Sequence, residues 1–97
     1  LQDADRIEAL GAIGIARCFA TTGVVGGGLF HGLDPFGLDR RLDDKAYAVD
    51  HFKIKLLNLP VTMQTATGRK FAEDRANVLR DFLDQLATEL DVAVSGW

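Results

Sequence analysis

A long amphipathic segment in the second half of the sequence constrains the fold most strongly. Between residues 67 and about 91, apolar side chains recur three and four positions apart, and charged residues and Gln occupy the opposite face. The apolar positions are Phe71, Val78, Leu79, Phe82, Leu83, Leu86 and Leu90. This spacing places them on one face of an α-helix, and that face must be buried. The sequence therefore predicts a long helix packed on one side, with Thr65 or Thr67 as its N-terminal cap.

Two further segments have helical patterns. Residues 2–19 are rich in alanine, with Ile and Leu at helical spacing, and residues 44–59 carry apolar stripes that stop at Pro60. Gly11 and Gly14 in the first segment each cost about 1 kcal/mol relative to alanine in a helix interior. In return, they allow a neighbouring helix to approach closely. The sequence thus predicts an all-α helical bundle of about three helices.

A glycine-rich segment separates the first two predicted helices. Residues 21–44 contain six of the ten glycines and one of the two prolines, without a sustained period. A connection of this length is commonly functional or an ordered Ω-loop. Its triple glycine lacks the rest of the P-loop pattern, and no predicted strand precedes it, so we interpret it as ordinary loop flexibility. We predict a single domain over residues 1–97 with a long loop at 21–44.

Charge and composition exclude several classes of protein. The chain has a net charge of -3 and 47% hydrophobic residues, so it is typical of a globular protein and lacks the basic character of a general nucleic-acid binder. No apolar run reaches the roughly 18 residues of a membrane span, and the first residues do not resemble a signal peptide. Cys18 is the single cysteine, and we interpret it as a small buried residue in a reducing compartment. We therefore expect a cytoplasmic protein without nucleic-acid or membrane partners.

An acidic cluster begins the first predicted helix. Asp3, Asp5, Arg6 and Glu8 lie within six residues. Asp5 and Glu8 share a helix face, whereas Asp3 lies about 200° away from Asp5 around the helix axis. Such carboxylates can cap the helix and oppose its dipole, or one of them can be an oxygen ligand for a divalent metal. Spacing alone favours capping and leaves the metal interpretation open.

The two histidines do not complete a metal site by their spacing. His31 lies in the glycine-rich loop, and His51 lies in the second predicted helix beside Phe52. The sequence contains no H-x-x-x-H or C-x-x-C pattern. A lone helical histidine next to a phenylalanine is more typical of packing than of metal binding. The residues themselves therefore predict an acidic helical protein with one candidate metal carboxylate.

Three blocks of the sequence resemble the HD-domain metal-dependent phosphohydrolases, most closely the YedJ-like branch. They read QDADRIEALGAIG, LDDKAYAVDHF and KLLNLPVTMQTATG, in the order of the family. In this family a His, a His-Asp pair and a distant Asp bind one divalent ion, typically manganese or magnesium. The distant Asp belongs to an A-D-R-[LI] element, which is Ala4-Asp5-Arg6-Ile7 here. The resemblance therefore implies that Asp5 is a metal ligand.

The resemblance also implies an activity and a substrate class. In the family, metal-activated water attacks the phosphorus of a nucleotide or another phosphoester. Within the similar blocks, Lys55, Arg69 and Arg75 are candidates to bind the substrate phosphate, as is Glu8, one turn after Asp5. A small phosphorylated substrate, most simply a nucleotide, is the expected partner.

The resemblance is incomplete at the metal site. The family's first His and its His-Asp pair lie upstream of the matching helix and do not occur in these residues, and the Asp50-His51 order does not replace them. We therefore expect the C-terminal half of an HD domain, with its metal bound only if the full site is assembled. The alternative is a catalytically incompetent, truncated HD domain that serves as a self-associating module. Its over-apolar first helix would then pack in a homodimer or against missing helices.

Overall fold

The computed structural model describes residues 2–97, and the sequence position Leu1 lies outside this range. Its elements are, in chain order, α1 (Gln2–Glu8), α2 (Gly11–Val24), α3 (Ala48–Ile54), a 3-10 helix (Leu56–Thr62) and α4 (Ala66–Leu90). Over the described residues there is no strand, and Gly28 and Tyr47 form only an isolated bridge. The predicted all-α class is confirmed.

The predicted helix over residues 2–19 is in fact two helices, α1 and α2. The chain turns at Gly11, whose φ of 72° lies in the left-handed region that residues with a side chain rarely adopt. Leu10, just before the turn, is buried in the core. The prediction that Gly11 lies in a helix interior is therefore wrong, since Gly11 marks the boundary between two helices.

The boundaries of the long loop and of the second helix also differ from the prediction. Helix α2 continues to Val24, so the irregular segment covers residues 25–47 and not 21–44. Helix α3 begins only at Ala48, and after Lys55 the chain forms the 3-10 helix, which contains Pro60. Proline cannot donate an α-helical hydrogen bond, but its fixed φ suits a 3-10 turn. The apolar pattern thus ends as an α-helix before Pro60 and continues in the tighter form.

Helix α4 closely follows its prediction. Thr65 is its N-cap, and the Thr65 hydroxyl accepts a hydrogen bond from the Gly68 N–H at 2.9 Å. The buried face contains Leu79 and Leu83 together with three alanines, but Phe71 and Val78, which were predicted to be buried, are 57% and 42% exposed. Small side chains therefore form much of the contact surface and let the other helices approach closely. No helix in the described range is long and apolar enough to cross a bilayer.

A buried ion pair anchors the irregular segment in front of α3. The Asp50 side chain is 0% exposed, and its two oxygens accept hydrogen bonds from the Arg40 guanidinium at 2.6 and 2.8 Å. The Asp43 N–H donates to the same carboxylate at 2.8 Å, and the guanidinium lies over the Tyr47 ring. The hydrogen bonds to Asp50 raise the pKa of Arg40 above its usual value. This cluster fixes where the loop joins α3.

The C-terminal residues are docked on α4. The Trp97 ring packs on Phe36 of the irregular segment, with ring centroids 5.1 Å apart, and Phe36 is fully buried. The Trp97 indole N–H donates to Asp84, and the Arg80 guanidinium donates to the Trp97 carbonyl. The irregular segment is therefore held to the bundle at its middle, through Phe36, and at its junction with α3.

Candidate functional site

A cavity of about 570 Å³ lies between α2 and the region where the irregular segment joins α3. Its apolar wall comes mainly from α2 and from Leu56. The charged and titratable side chains that line it, apart from a cysteine, are Arg17, Asp44, Lys45, His51 and Lys55. A concave site with a few convergent polar groups is the usual form of a small-molecule site.

Helical spacing positions two of these groups. His51 and Lys55 are four residues apart, and the Lys55 N–H donates to the His51 carbonyl at 3.0 Å. This helical turn places both side chains on the same side of the chain. Arg17 reaches the cavity from α2, three residues after Gly14, which also lines it. The cations thus converge from two separate helices.

A turn centred on Asp43 presents two further groups. The Asp43 carboxylate accepts hydrogen bonds from the N–H groups of Lys45 at 3.1 Å and Ala46 at 3.2 Å. Aspartate commonly stabilises turns in this way. Because the Asp43 N–H is bound to buried Asp50, the turn is tied to the core. Asp44 and Lys45 therefore have a defined position at the cavity.

The residues that line the cavity carry a net positive charge, although the chain as a whole is acidic. Arg17, Lys45 and Lys55 contribute three cations, and Asp44 is the single acid among the described lining residues. Partial burial alone would raise the pKa of Asp44, but Lys55 and then His51 outweigh it and hold this pKa below its usual value. Asp44 is therefore ionised at neutral pH, and the cavity keeps an excess of positive charge that suits an anionic ligand.

Cys18 also lines this cavity. Its side chain is half-buried, and the thiol lies 3.8 Å from the Ala48 carbonyl oxygen. Burial raises the pKa of the thiol, so Cys18 is a neutral wall residue at pH 7 and a weak nucleophile.

The predicted metal ligand Asp5 lies on α1, outside the residues that line the cavity. Its side chain is exposed, as is that of Glu8 at the end of the same helix. Ala9, the residue after Glu8, does line the cavity. In the described part of the chain, no group of three or more His, Cys, Asp or Glu side chains could hold a metal ion. One carboxylate is fewer ligands than a catalytic metal needs, so residues 2–97 alone do not fit such a centre.

The neighbours of Asp5 have structural contacts. The Asp3 carboxylate accepts hydrogen bonds from the N–H groups of Gln64 and Thr65 and from the Thr65 hydroxyl. The Gln64 hydrogen bond is the main reason why the pKa of Asp3 is lowered. Arg6 donates to the Thr62 carbonyl at 2.6 Å. Asp3 thus joins α1 to the start of α4, and Arg6 joins it to the end of the 3-10 helix.

Of the cations predicted to bind the substrate, Lys55 lines the cavity. Arg69 is exposed on the first turn of α4 and is not among the lining residues. The Arg75 side chain lies along Gly11, with a hydrogen bond of 3.4 Å to the Ile7 carbonyl. The substrate roles of Arg69 and Arg75 stay predictions, as does that of Glu8.

Sequence reasoning missed Arg17, Asp44 and Lys45, and it interpreted His51 as a packing residue. Two signals were present in the sequence. Arg17 is the only charge after Glu8 in an apolar helical run, and His51 precedes Lys55 by four residues. A charge retained in an otherwise apolar run often faces a cavity or a polar partner.

No protein-family model matches the chain. Its similarity to solved structures defines the class, which is an HD-like helical fold. A crystal structure of an HD-superfamily hydrolase from Bacillus thuringiensis has a TM-score of 0.75 at 38% identity, and the match covers 93% of this chain and 44% of that one. A crystal structure from Lactobacillus plantarum has a TM-score of 0.78 at 33% identity, covering 93% and 46% respectively.

The chain is also homologous to YpgQ of Bacillus subtilis, an uncharacterized protein. The two are 40% identical over 90 residues, which cover 93% of this chain and 38% of YpgQ. A crystal structure of YpgQ in complex with ADP has a TM-score of 0.75. The chain thus spans less than half the length of each of these relatives.

Proposed function

We propose that the chain belongs to a phosphohydrolase of HD type and that the cationic cavity binds the phosphate groups of a nucleotide or another phosphoester. The convergence of Arg17, Lys45, His51 and Lys55 on one cavity is the observation that carries this proposal. An HD-superfamily hydrolase among the similar structures and the ADP complex of homologous YpgQ support it.

The chemistry of phosphoryl transfer suits such a cavity. Its catalysis depends largely on positioning and on neutralising the charge of the phosphate oxygens. The Lys55 side chain is 61% exposed and can reach an incoming ligand, while Arg17 offers a planar donor from the facing helix. In this proposal the two side chains hold the phosphate from opposite walls, and Thr21 adds a hydroxyl from α2.

Asp5 keeps a role in this proposal as one ligand of a divalent ion such as manganese or magnesium. An ion of this kind would supply an activated water for hydrolysis. The further ligands it requires would have to come from outside the described residues. Phosphate binding by the cavity does not depend on them.

Replacing Lys55 with glutamine is expected to weaken the binding of inorganic pyrophosphate about tenfold, the equivalent of one charge-assisted hydrogen bond. Titration calorimetry on the full chain at low ionic strength measures this. Lys70→Gln is the matched control, because Lys70 is an exposed cation of α4 that does not line this cavity. Equal affinity of the wild type and the Lys55 variant would contradict the proposed site.

A self-associating helical module is the second candidate function, and exposed apolar side chains on α2 favour it. Ile13 is 68% exposed, and Val24 and Val25 are exposed at the end of the helix. Ile13→Asp is then expected to weaken a dimer about tenfold, measured by sedimentation velocity over a range of concentrations. Val61→Asp, at an exposed site on the 3-10 helix, should leave the dimer unchanged. A wild type that stays monomeric throughout would argue against this candidate.

A further inference from the structure

The cationic cavity contains its own counter-ion. One oxygen of Asp44 lies 3.6 Å from His51 Nδ1 and 3.5 Å from Lys55 Nζ. These distances are electrostatic contacts and are longer than good hydrogen bonds. The same carboxylate oxygen therefore sits between two groups that a phosphate oxygen would approach.

The position of Asp44 is built into the fold. The backbone before Asp44 is held by the hydrogen bond from the Asp43 N–H to buried Asp50. The backbone after it is held by the hydrogen bonds from Lys45 and Ala46 to the Asp43 carboxylate. The Asp44 side chain itself is 21% exposed, and its contacts with His51 and Lys55 are longer than those of Asp50 with Arg40. The backbone is thus fixed, while the carboxylate is held by contacts that a stronger anion can also make.

We propose that Asp44 is an internal competitor for anions, which occupies the space between His51 and Lys55 until a phosphate ligand displaces it. This inference rests on the proposed function, since it concerns the same cavity. Its consequence is that the cavity binds phosphate groups less tightly than its cations alone would, and releases them faster. Asp44 is a positioning residue, because it affects ligand binding through its contacts with His51 and Lys55.

The direction of the effect distinguishes this role from a structural one. Loss of a merely structural contact would loosen the cavity and weaken binding. Loss of a competing carboxylate strengthens binding, because an anion no longer has to displace a like charge, and Lys55 and His51 are both freed to contact it. A gain of affinity is therefore the diagnostic result.

Asp44→Asn is expected to tighten the binding of inorganic pyrophosphate about fivefold, because this is the change in affinity that corresponds to the free energy of a partly exposed ion pair. Titration calorimetry on the full chain measures this. Asp39→Asn is the matched control. It removes the same charge from an exposed residue of the same irregular segment that does not line the cavity. Its affinity should stay within about twofold of the wild type.

Two additional variants strengthen the test. Asp44→Ser removes the charge with a smaller side chain and should reproduce the gain even if the asparagine variant folds poorly. In a Lys55→Gln background the gain from Asp44→Asn should shrink, because the cation that Asp44 occupies is absent.

Each result decides between the two claims. Wild-type binding of pyrophosphate with no gain in either Asp44 variant overturns the inference and leaves the proposed function in place. An equal gain in Asp39→Asn also overturns it, because the effect would then follow net charge alone. If neither the wild type nor any variant binds pyrophosphate, the proposed function is overturned, and the inference with it.

Discussion

Replacing Arg40 with methionine is expected to lower the free energy of unfolding by about 3 kcal/mol, because it leaves a buried carboxylate without its cation. Asp50 has no solvent access, and Arg40 supplies two of its hydrogen bonds. Methionine retains much of the aliphatic length of arginine, so the loss reports the charge and the hydrogen bonds more than the packing. Urea unfolding followed by circular dichroism measures the change.

Two companion variants show whether the buried charge is the cause. Arg41→Met alters an exposed neighbour and should change stability by no more than about 0.5 kcal/mol. Adding Asp50→Asn to Arg40→Met removes the unpaired charge and retains an acceptor for the Asp43 N–H, so the double variant should recover at least about 1 kcal/mol. A double variant less stable than Arg40→Met alone would contradict the explanation.

Loss of the Arg40–Asp50 ion pair should also affect ligand binding by the cavity. Asp50 fixes the Asp43 turn, and that turn presents Asp44 and Lys45. Partial loosening of this cluster should therefore weaken pyrophosphate binding even in those molecules that remain folded. The ion pair thus connects the stability of the loop to the proposed function.

The helices that depend on local pattern were predictable from the sequence. The spacing of apolar residues and the Thr65 cap predicted α4 to within one residue at each end. Both signals arise from neighbouring residues along the chain, so they can be read without knowledge of the fold. The separation of α1 from α2 could not be read in this way. A glycine permits a positive φ but does not require it, and the burial of Leu10 at the turn depends on distant contacts.

The candidate site was predictable only in part, because it also depends on contacts between residues that are distant in the sequence. Lys55 was identified through a resemblance, but Arg17 and Asp44 come from segments almost thirty residues apart and meet only after packing. The buried pair of Arg40 and Asp50 has no local signature either, because the two residues are ten positions apart, one in the irregular segment and the other in α3. Asp5 was identified by its motif alone, and its role as a metal ligand stays a prediction.

Replacing Gly14 with alanine is expected to destabilise the chain by about 3 kcal/mol, near the upper end for overpacking. A Cβ atom at this position would overlap the carbonyl group of Ala9, which belongs to the segment between α1 and α2. Backbone cannot move aside as a flexible side chain can, so the two helices would have to separate. Thermal and urea unfolding measure the loss.

Gly23→Ala is the matched control for Gly14→Ala, because it makes the same substitution in the same helix. A Cβ atom there has no neighbour within 4 Å, so the usual helix preference for alanine should add about 0.5 kcal/mol of stability. Gly14 and Ala9 both line the cavity, as does Arg17. A side chain at position 14 should therefore displace the part of the cavity wall that includes Arg17. Pyrophosphate affinity should consequently fall in Gly14→Ala and stay unchanged in Gly23→Ala. Equal stability of the two variants would show that α1 and α2 are not packed through this glycine.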